Sequence, residues 1–112
     1  MKEFALEEEL AFEALMDRLD EIANENDLQT LWSVEEITDV YKEIGIQPKY
    51  ITDGIENEVR VELPNTPLTW LDLWKASDEL YKLLGDTDHR FIEEFEVKTE
   101  NGETFLEVFF GS

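Results

Sequence analysis

Residues 91–110 read FIEEFEVKTENGETFLEVFF, and this stretch decides the fold because it contains the strongest hairpin signal in the chain. Two apolar-rich runs flank Asn101-Gly102, a dipeptide preferred in two-residue β-hairpin turns. A two-residue turn fixes the register, which predicts Thr99 opposite Thr104 and Glu96 opposite Glu107. The same register places four apolar side chains on one face: Phe95, Val97, Leu106 and Val108. Because the second strand is apolar on both sides, we expect it inside the sheet or in an interface.

A second hairpin is predicted upstream, between Pro48 and Leu63. Asp53-Gly54 is a turn signal, and residues 58–63 read EVRVEL, in which charged and apolar side chains alternate strictly. Such alternation is typical of an antiparallel strand that is covered on one side and wet on the other. The side chains expected to face the core are those of Val59, Val61 and Leu63.

Two helices are predicted before these hairpins. The first, over residues 3–23, repeats apolar side chains at spacings of three and four. The second is expected to start at Val34, because Ser33-Val34-Glu35-Glu36 matches a capping box. It should end near Gly45, which sits where a left-handed residue commonly follows a helix.

A third helix is predicted between the two hairpins. Thr66-Pro67 matches an N-cap threonine with proline at the first helical position, and Thr69 with Asp72 is the rival cap. The helix should run to Leu84 and leave through Gly85. The whole order predicts one α+β domain over residues 1–112: two N-terminal helices, then hairpin, helix and hairpin. The hairpins are expected to form a four-stranded, mainly antiparallel sheet with the helices on one face.

Charge is the unusual property of the chain. It has 29 Asp plus Glu against nine Lys plus Arg, a formal net charge of -20. Solubility alone favours a net magnitude of about 2 to 8, and self-repulsion beyond that destabilises the compact state. Adaptation to high salt is an alternative cause, but Glu outnumbers Asp by 20 to 9 and large aromatics are plentiful.

The chain offers little for catalysis or cofactor binding. It has no Cys and a single imidazole, His89, in an expected loop, so no enzyme is predicted. Asp86-Thr87-Asp88 starts like a calcium loop, but Arg90 occupies the third ligand position, so no specific metal site and no cofactor are expected. The acidic start and the lack of a long apolar run predict a cytoplasmic protein that does not bind membranes.

Acidic side chains form the candidate partner-binding surface. Four carboxylates in the first helix stand at i, i+4 spacing with a fifth beside them: Glu9, Glu13, Asp17, Glu21 and Asp20. The outward faces of the strands add Glu58, Glu62, Glu94, Glu96 and Glu107. A charged helix face is commonly only a solvated face, but the compensating Lys residues at i+4 are missing here. Rows of carboxylates place negative charge at spacings of the same order as nucleic-acid phosphates.

Three functions fit these observations. In composition, small, Cys-free, highly acidic α+β chains resemble phage-encoded inhibitors of host nucleic-acid enzymes, including anti-restriction and anti-CRISPR proteins. The leading hypothesis is accordingly an inhibitor that mimics nucleic-acid charge and occupies the cleft of a basic nucleic-acid-processing enzyme. The first alternative is an immunity or antitoxin protein that neutralises a basic toxin, with Phe105, Phe109 or an exposed Trp as anchors. The second is a homodimeric structural protein joined through the Phe105–Phe110 strand. Direct nucleic-acid binding is disfavoured, because the net charge repels phosphate.

Overall fold

The computed structural model describes residues 2–34, 37, 39–54, 59–85 and 89–111, with side chains from Ala14 onward. This part of the chain contains two helices and five strands. In chain order they are α1 (Lys2–Glu25), β1 (Leu31–Trp32), β2 (Tyr50–Asp53), β3 (Arg60–Glu62), α2 (Trp70–Leu84), β4 (Phe91–Glu100) and β5 (Glu103–Gly111). The α+β class is therefore confirmed, and neither helix is long and apolar enough to cross a lipid bilayer.

The sheet is five-stranded and mixed, which corrects the predicted four-stranded, mainly antiparallel arrangement. Its order is β1-β4-β5-β2-β3. The two hairpins, β2/β3 and β4/β5, are antiparallel as predicted, but β2 pairs with β5 in parallel and β1 adds a parallel edge to β4. As expected from its two apolar faces, β5 is an inner strand with a neighbour on each side.

The β4/β5 register is confirmed residue by residue. Thr99 lies opposite Thr104 and Glu96 opposite Glu107. Asn101 and Gly102 adopt φ values of 53° and 78°, the left-handed pair that a type I′ turn requires. The prediction succeeded because a two-residue turn leaves one register only.

The predicted second helix is wrong at its start. Ser33 does not cap a helix, because its backbone N–H and its Oγ both donate to the Ile92 carbonyl, at 3.1 and 2.6 Å. It therefore continues the pairing of β1 along β4. Glu35 and Glu36, the other half of the predicted capping box, lie outside the described residues.

The same prediction fails over residues 39–45, where the chain forms a turn at Val40 and Tyr41 and a single β-bridge from Glu43 to Thr69. Backbone groups that a helix would pair internally bond instead to the entry of α2: the Ile44 N–H donates to the Leu68 carbonyl at 2.8 Å, and the Leu71 N–H donates to the Val40 carbonyl at 2.6 Å. The Asp39 carboxylate also accepts the Tyr41 N–H at 3.0 Å, a local bond that competes with helix formation. Tertiary hydrogen bonds therefore override the helical pattern.

Helix α2 begins at the rival cap. The Thr69 hydroxyl accepts the Asp72 N–H at 3.2 Å, and the Asp72 carboxylate accepts the Thr69 N–H at 2.8 Å, which completes a capping box. Thr66-Pro67 lies ahead of this start. At the other end Gly85 has φ of 71° and closes the helix as predicted.

The core lies between α2 and one face of the sheet, and the C-terminal part of α1 joins it. Trp32 of β1 packs on Trp74 and Phe95, with ring centroids 5.5 and 5.8 Å apart, and Tyr81 of α2 packs on Phe110. Trp74 is 1% exposed. Trp32 and Trp74 are therefore core residues.

A buried carboxylate fixes the chain between α1 and β1 to α2. Asp78 is 2% exposed, and its Oδ1 accepts the N–H groups of Gln29 and Thr30 at 2.7 Å each and the Thr30 hydroxyl at 2.9 Å. Lys82 lies 3.2 Å from Oδ2. The charge of Asp78 is thus fully satisfied by partners within the fold.

Candidate partner-binding surface

The face of the sheet opposite α2 collects four of the predicted acids. Residues that pair across strands share a face, so the register places Arg60, Thr52, Glu107 and Glu96 in one cross-strand row. The adjacent rows on this face contain Glu62, Tyr50, Phe105 and Lys98, and then Phe109 and Glu94. We call this surface the open face. It presents Glu62, Glu94, Glu96 and Glu107.

Aromatic side chains form the floor of the open face. The rings of Tyr50 and Phe105 stack with centroids 4.9 Å apart and an interplanar angle of 7°, and the Arg60 guanidinium lies 4.6 Å from the Tyr50 centroid. Phe105 is consequently only 7% exposed. The Phe109 ring lies over Gly54, where a Cβ atom would come within 2.4 Å of it, so this contact requires glycine. The acids therefore project from a well-packed platform.

The charges on the open face are only partly compensated. Glu96 and Glu107 are both half-buried and lie directly opposite each other, an arrangement that destabilises a sheet. Lys98 Nζ lies 3.4 Å from the Glu96 carboxylate. Among the described residues, no cation lies within 4.0 Å of the carboxylates of Glu62, Glu94 or Glu107.

The described acids of α1 do not belong to the open face. Asp17, Asp20 and Glu21 are exposed, and Arg18 lies 4.0 Å from Glu21. Helix α1 contacts the sheet at β1, on the edge of the sheet rather than on the open face. The backbone is helical through positions 9 and 13, but the side chains of Glu9 and Glu13 lie outside the described residues, as does Glu58.

Sequence reasoning placed Phe105 and Phe109 among the acids and Arg60 on the outward face of its strand, but it did not place Tyr50 and Arg60 beside Phe105. Those two join the open face only because β2 pairs with β5, and parallel pairing between distant strands leaves no local signal in the sequence. The same pairing gives β5 a neighbour on each edge, so a homodimer through this strand would have to use its side chains.

Two further places were weighed for catalysis or metal binding, His89 and Asp86-Thr87-Asp88. His89 is exposed, and Asp86-Thr87-Asp88 lies outside the described residues. Within the described part of the chain, no three His, Asp or Glu side chains are grouped to hold a metal ion.

Comparison with known proteins found no match: no family model, no curated protein and no solved structure is similar to this chain.

Removing one charge from the central pair should stabilise the fold. Glu107→Gln relieves the repulsion from Glu96 while keeping the size of the side chain, and we expect the free energy of unfolding to rise by about 0.5 kcal/mol. Glu103→Gln is the matched control: Glu103 lies opposite Glu100 as Glu107 lies opposite Glu96, but it also lies 3.0 Å from Lys49, so its loss removes an attraction together with a repulsion and should stabilise the fold less. Urea unfolding of both variants measures this, and equal changes in both would contradict the assignment.

Salt should stabilise the protein measurably. Screening of the net charge of -20 weakens self-repulsion, so raising NaCl from about 20 mM to 500 mM should increase the Tm by about 5 °C. The increase should shrink near pH 4, where about half of ordinary carboxylates are protonated. A chain that folds only at molar salt would instead support adaptation to high salt.

Proposed function

We propose that this protein is an inhibitor that presents the open face to the basic nucleic-acid cleft of an enzyme and competes with nucleic acid there, in the manner of anti-restriction or anti-CRISPR proteins. The supporting observation is the cross-strand arrangement of Glu94, Glu96 and Glu107 on one packed face, without full compensation. Charges that oppose folding and serve no internal contact are typical of binding surfaces.

The spacing of these acids suits a cleft that binds phosphate. Glu94 and Glu96 are two residues apart, about 7 Å along the strand, and Glu96 and Glu107 are about 5 Å apart across it. Duplex DNA presents one phosphate per about 3.4 Å of rise on each strand. Lys and Arg side chains that contact every second phosphate, about 7 Å apart in rise, therefore meet carboxylates at comparable intervals.

Inhibition assays at several ionic strengths test the proposal. Purified restriction and CRISPR nucleases with basic clefts are assayed on labelled DNA with increasing amounts of the protein, from about 50 to 400 mM NaCl. We expect inhibition that weakens steeply as salt rises and that excess DNA relieves. Inhibition that is independent of salt, or that DNA does not relieve, would contradict charge mimicry.

The breadth of inhibition separates the proposal from an immunity function. A charge mimic should inhibit several enzymes that share a basic cleft. Neutralisation of a single basic toxin, with no effect on the nucleases, would assign the protein to the immunity class. Capture of basic proteins from the native host at low salt, followed by elution with salt, identifies candidates for both assays.

A further inference from the structure

Strand β4 has a neighbouring strand on its outer edge only at its beginning. β1 pairs with Phe91 and Ile92, and the N–H and Oγ of Ser33 both donate to the Ile92 carbonyl. A β-bulge between Ile92 and Glu94 then ends this pairing. From residue 93 to residue 100, no strand of the described chain lies along this edge.

The backbone groups that point out of this edge follow from the pairing of β5. On β5, the carbonyls of Thr104 and Val108 accept the N–H groups of Lys49 and Gly54 from the β2 side. Backbone N–H and C=O groups alternate in direction along a strand. The groups that point toward β4 therefore belong to Glu103, Phe105, Glu107 and Phe109. The backbone groups of the paired β4 residues, from Glu94 to Glu100 at every second position, point toward β5 in the same way. The N–H and C=O groups of Phe95, Val97 and Thr99 are therefore directed outward.

The side chains along this edge differ between the two faces of the sheet. On the open face the edge carries two acids, Glu94 and Glu96, and one cation, Lys98, which lies 3.4 Å from the Glu96 carboxylate. On the helix side it carries Phe95, which is half-buried, and Val97, which is 56% exposed. A groove of about 630 Å³ continues from Phe95 and is lined by Ser33, Val34, Ile37, Trp70, Glu93, Glu94 and Phe95. An added strand would therefore meet two acids and one lysine on one side, and on the other Phe95, Val97 and a groove whose lining is both apolar and acidic.

We propose that the edge of β4 from Phe95 to Thr99 binds an extended segment of the partner, with alternating basic and apolar side chains, as a sixth strand. This inference rests on the proposed function, because that function supplies the basic partner. Strand addition gives affinity through main-chain bonds and specificity through alternate side chains. A second copy of this chain is disfavoured as the occupant, since each copy carries a net charge of -20.

An alternating seven-residue lysine–valine peptide is the probe. In the free protein, the amides of Phe95, Val97 and Thr99 should exchange rapidly with solvent, and those of Glu96 and Lys98 slowly. Adding the peptide at low salt should protect the three outward amides. The same peptide with alternate N-methylated backbone nitrogens keeps its charge but should give no protection.

Two variants at one position separate edge pairing from charge attraction. Val97→Pro removes an outward N–H, which a proline on an edge strand tolerates, and should weaken peptide binding about tenfold. Val97→Thr keeps the backbone group and should bind the peptide within about twofold of the wild type. Circular dichroism and the slow Glu96 amide report whether each variant is folded; Thr99→Pro repeats the test if Val97→Pro is not.

The failure of this inference differs from the failure of the proposed function. A combined Glu62→Gln, Glu94→Gln, Glu96→Gln and Glu107→Gln substitution, the open-face variant, removes the acids but keeps the backbone edge. One outcome would contradict the added strand but not the proposed function: the open-face variant loses peptide binding, the proline variants keep it, and the outward amides stay unprotected. The peptide would then bind the acids of the open face rather than the edge of β4. Failure of the peptide to bind at low salt, or a stable homodimer through β4 in light scattering, also overturns the inference. The proposed function is tested separately, by the nuclease inhibition assays, whatever the result with the peptide.

Discussion

Asp78→Ala should lower the free energy of unfolding by about 3 to 5 kcal/mol, a large share of the 5 to 15 kcal/mol typical of a domain. The substitution leaves three donors without their acceptor: the buried N–H and hydroxyl of Thr30 and the partly buried N–H of Gln29. It also leaves Lys82 without its partner. Since Trp74 Nε1 donates to the Thr30 hydroxyl at 3.1 Å, the disturbance should reach the aromatic core.

Two matched variants show how much of this loss comes from the hydrogen bonds and how much from the charge of Asp78. Asp78→Asn retains an acceptor oxygen for the three donors and loses mainly the ion pair with Lys82, so it should cost about 1 to 2 kcal/mol. Glu79→Ala, next in sequence but exposed, should change stability by less than about 0.5 kcal/mol. Urea unfolding followed by tryptophan fluorescence gives all three values. An Asp78→Ala protein as stable as Glu79→Ala would show that this network does not hold α2 to β1.

The open-face variant should bind a basic enzyme about 100-fold more weakly than the wild type, which corresponds to about 0.7 kcal/mol for each of four carboxylates. The loss follows because all four acids share one surface. Stability should not fall, since the Glu96–Glu107 repulsion is removed at the same time. The affinity is measured by displacement of labelled DNA from the nuclease that the wild type inhibits best.

Total charge is controlled by a second fourfold variant. Glu25→Gln, Asp27→Asn, Glu43→Gln and Glu79→Gln also reduce the net charge from -20 by four, but these exposed residues lie outside the open face. This control should lose less than about fivefold in affinity, because distant charges are screened. Equal losses in both variants would mean that overall charge, rather than an ordered surface, drives binding.

The fold could be predicted where local chemistry leaves one choice. Asn101-Gly102 fixed the β4/β5 register, and Gly85 fixed the end of α2. The prediction of a helix from Ser33 was wrong because the capping pattern is also compatible with the end of a strand. The Ser33 N–H and Oγ donate instead to the Ile92 carbonyl, 59 residues away. Local propensity cannot report such a distant acceptor.

The candidate site was predictable within strands but not between them. Strict alternation placed Glu62 on a wet face, and the hairpin register placed Glu96 opposite Glu107. That both hairpins share one face depends on the parallel β2–β5 pairing, which no turn specifies. The acids of α1 were grouped with those of the strands on charge alone, and the structure separates the two patches.

The salt dependence of binding tests the central claim most directly. The affinity for the best-inhibited nuclease is measured between about 50 and 400 mM NaCl for the wild type, the open-face variant and the charge-matched control. If Glu62, Glu94, Glu96 and Glu107 form the contact, the slope of log affinity against log salt should flatten in the open-face variant and stay steep in the other two. The same slope in all three proteins would contradict binding through the open face.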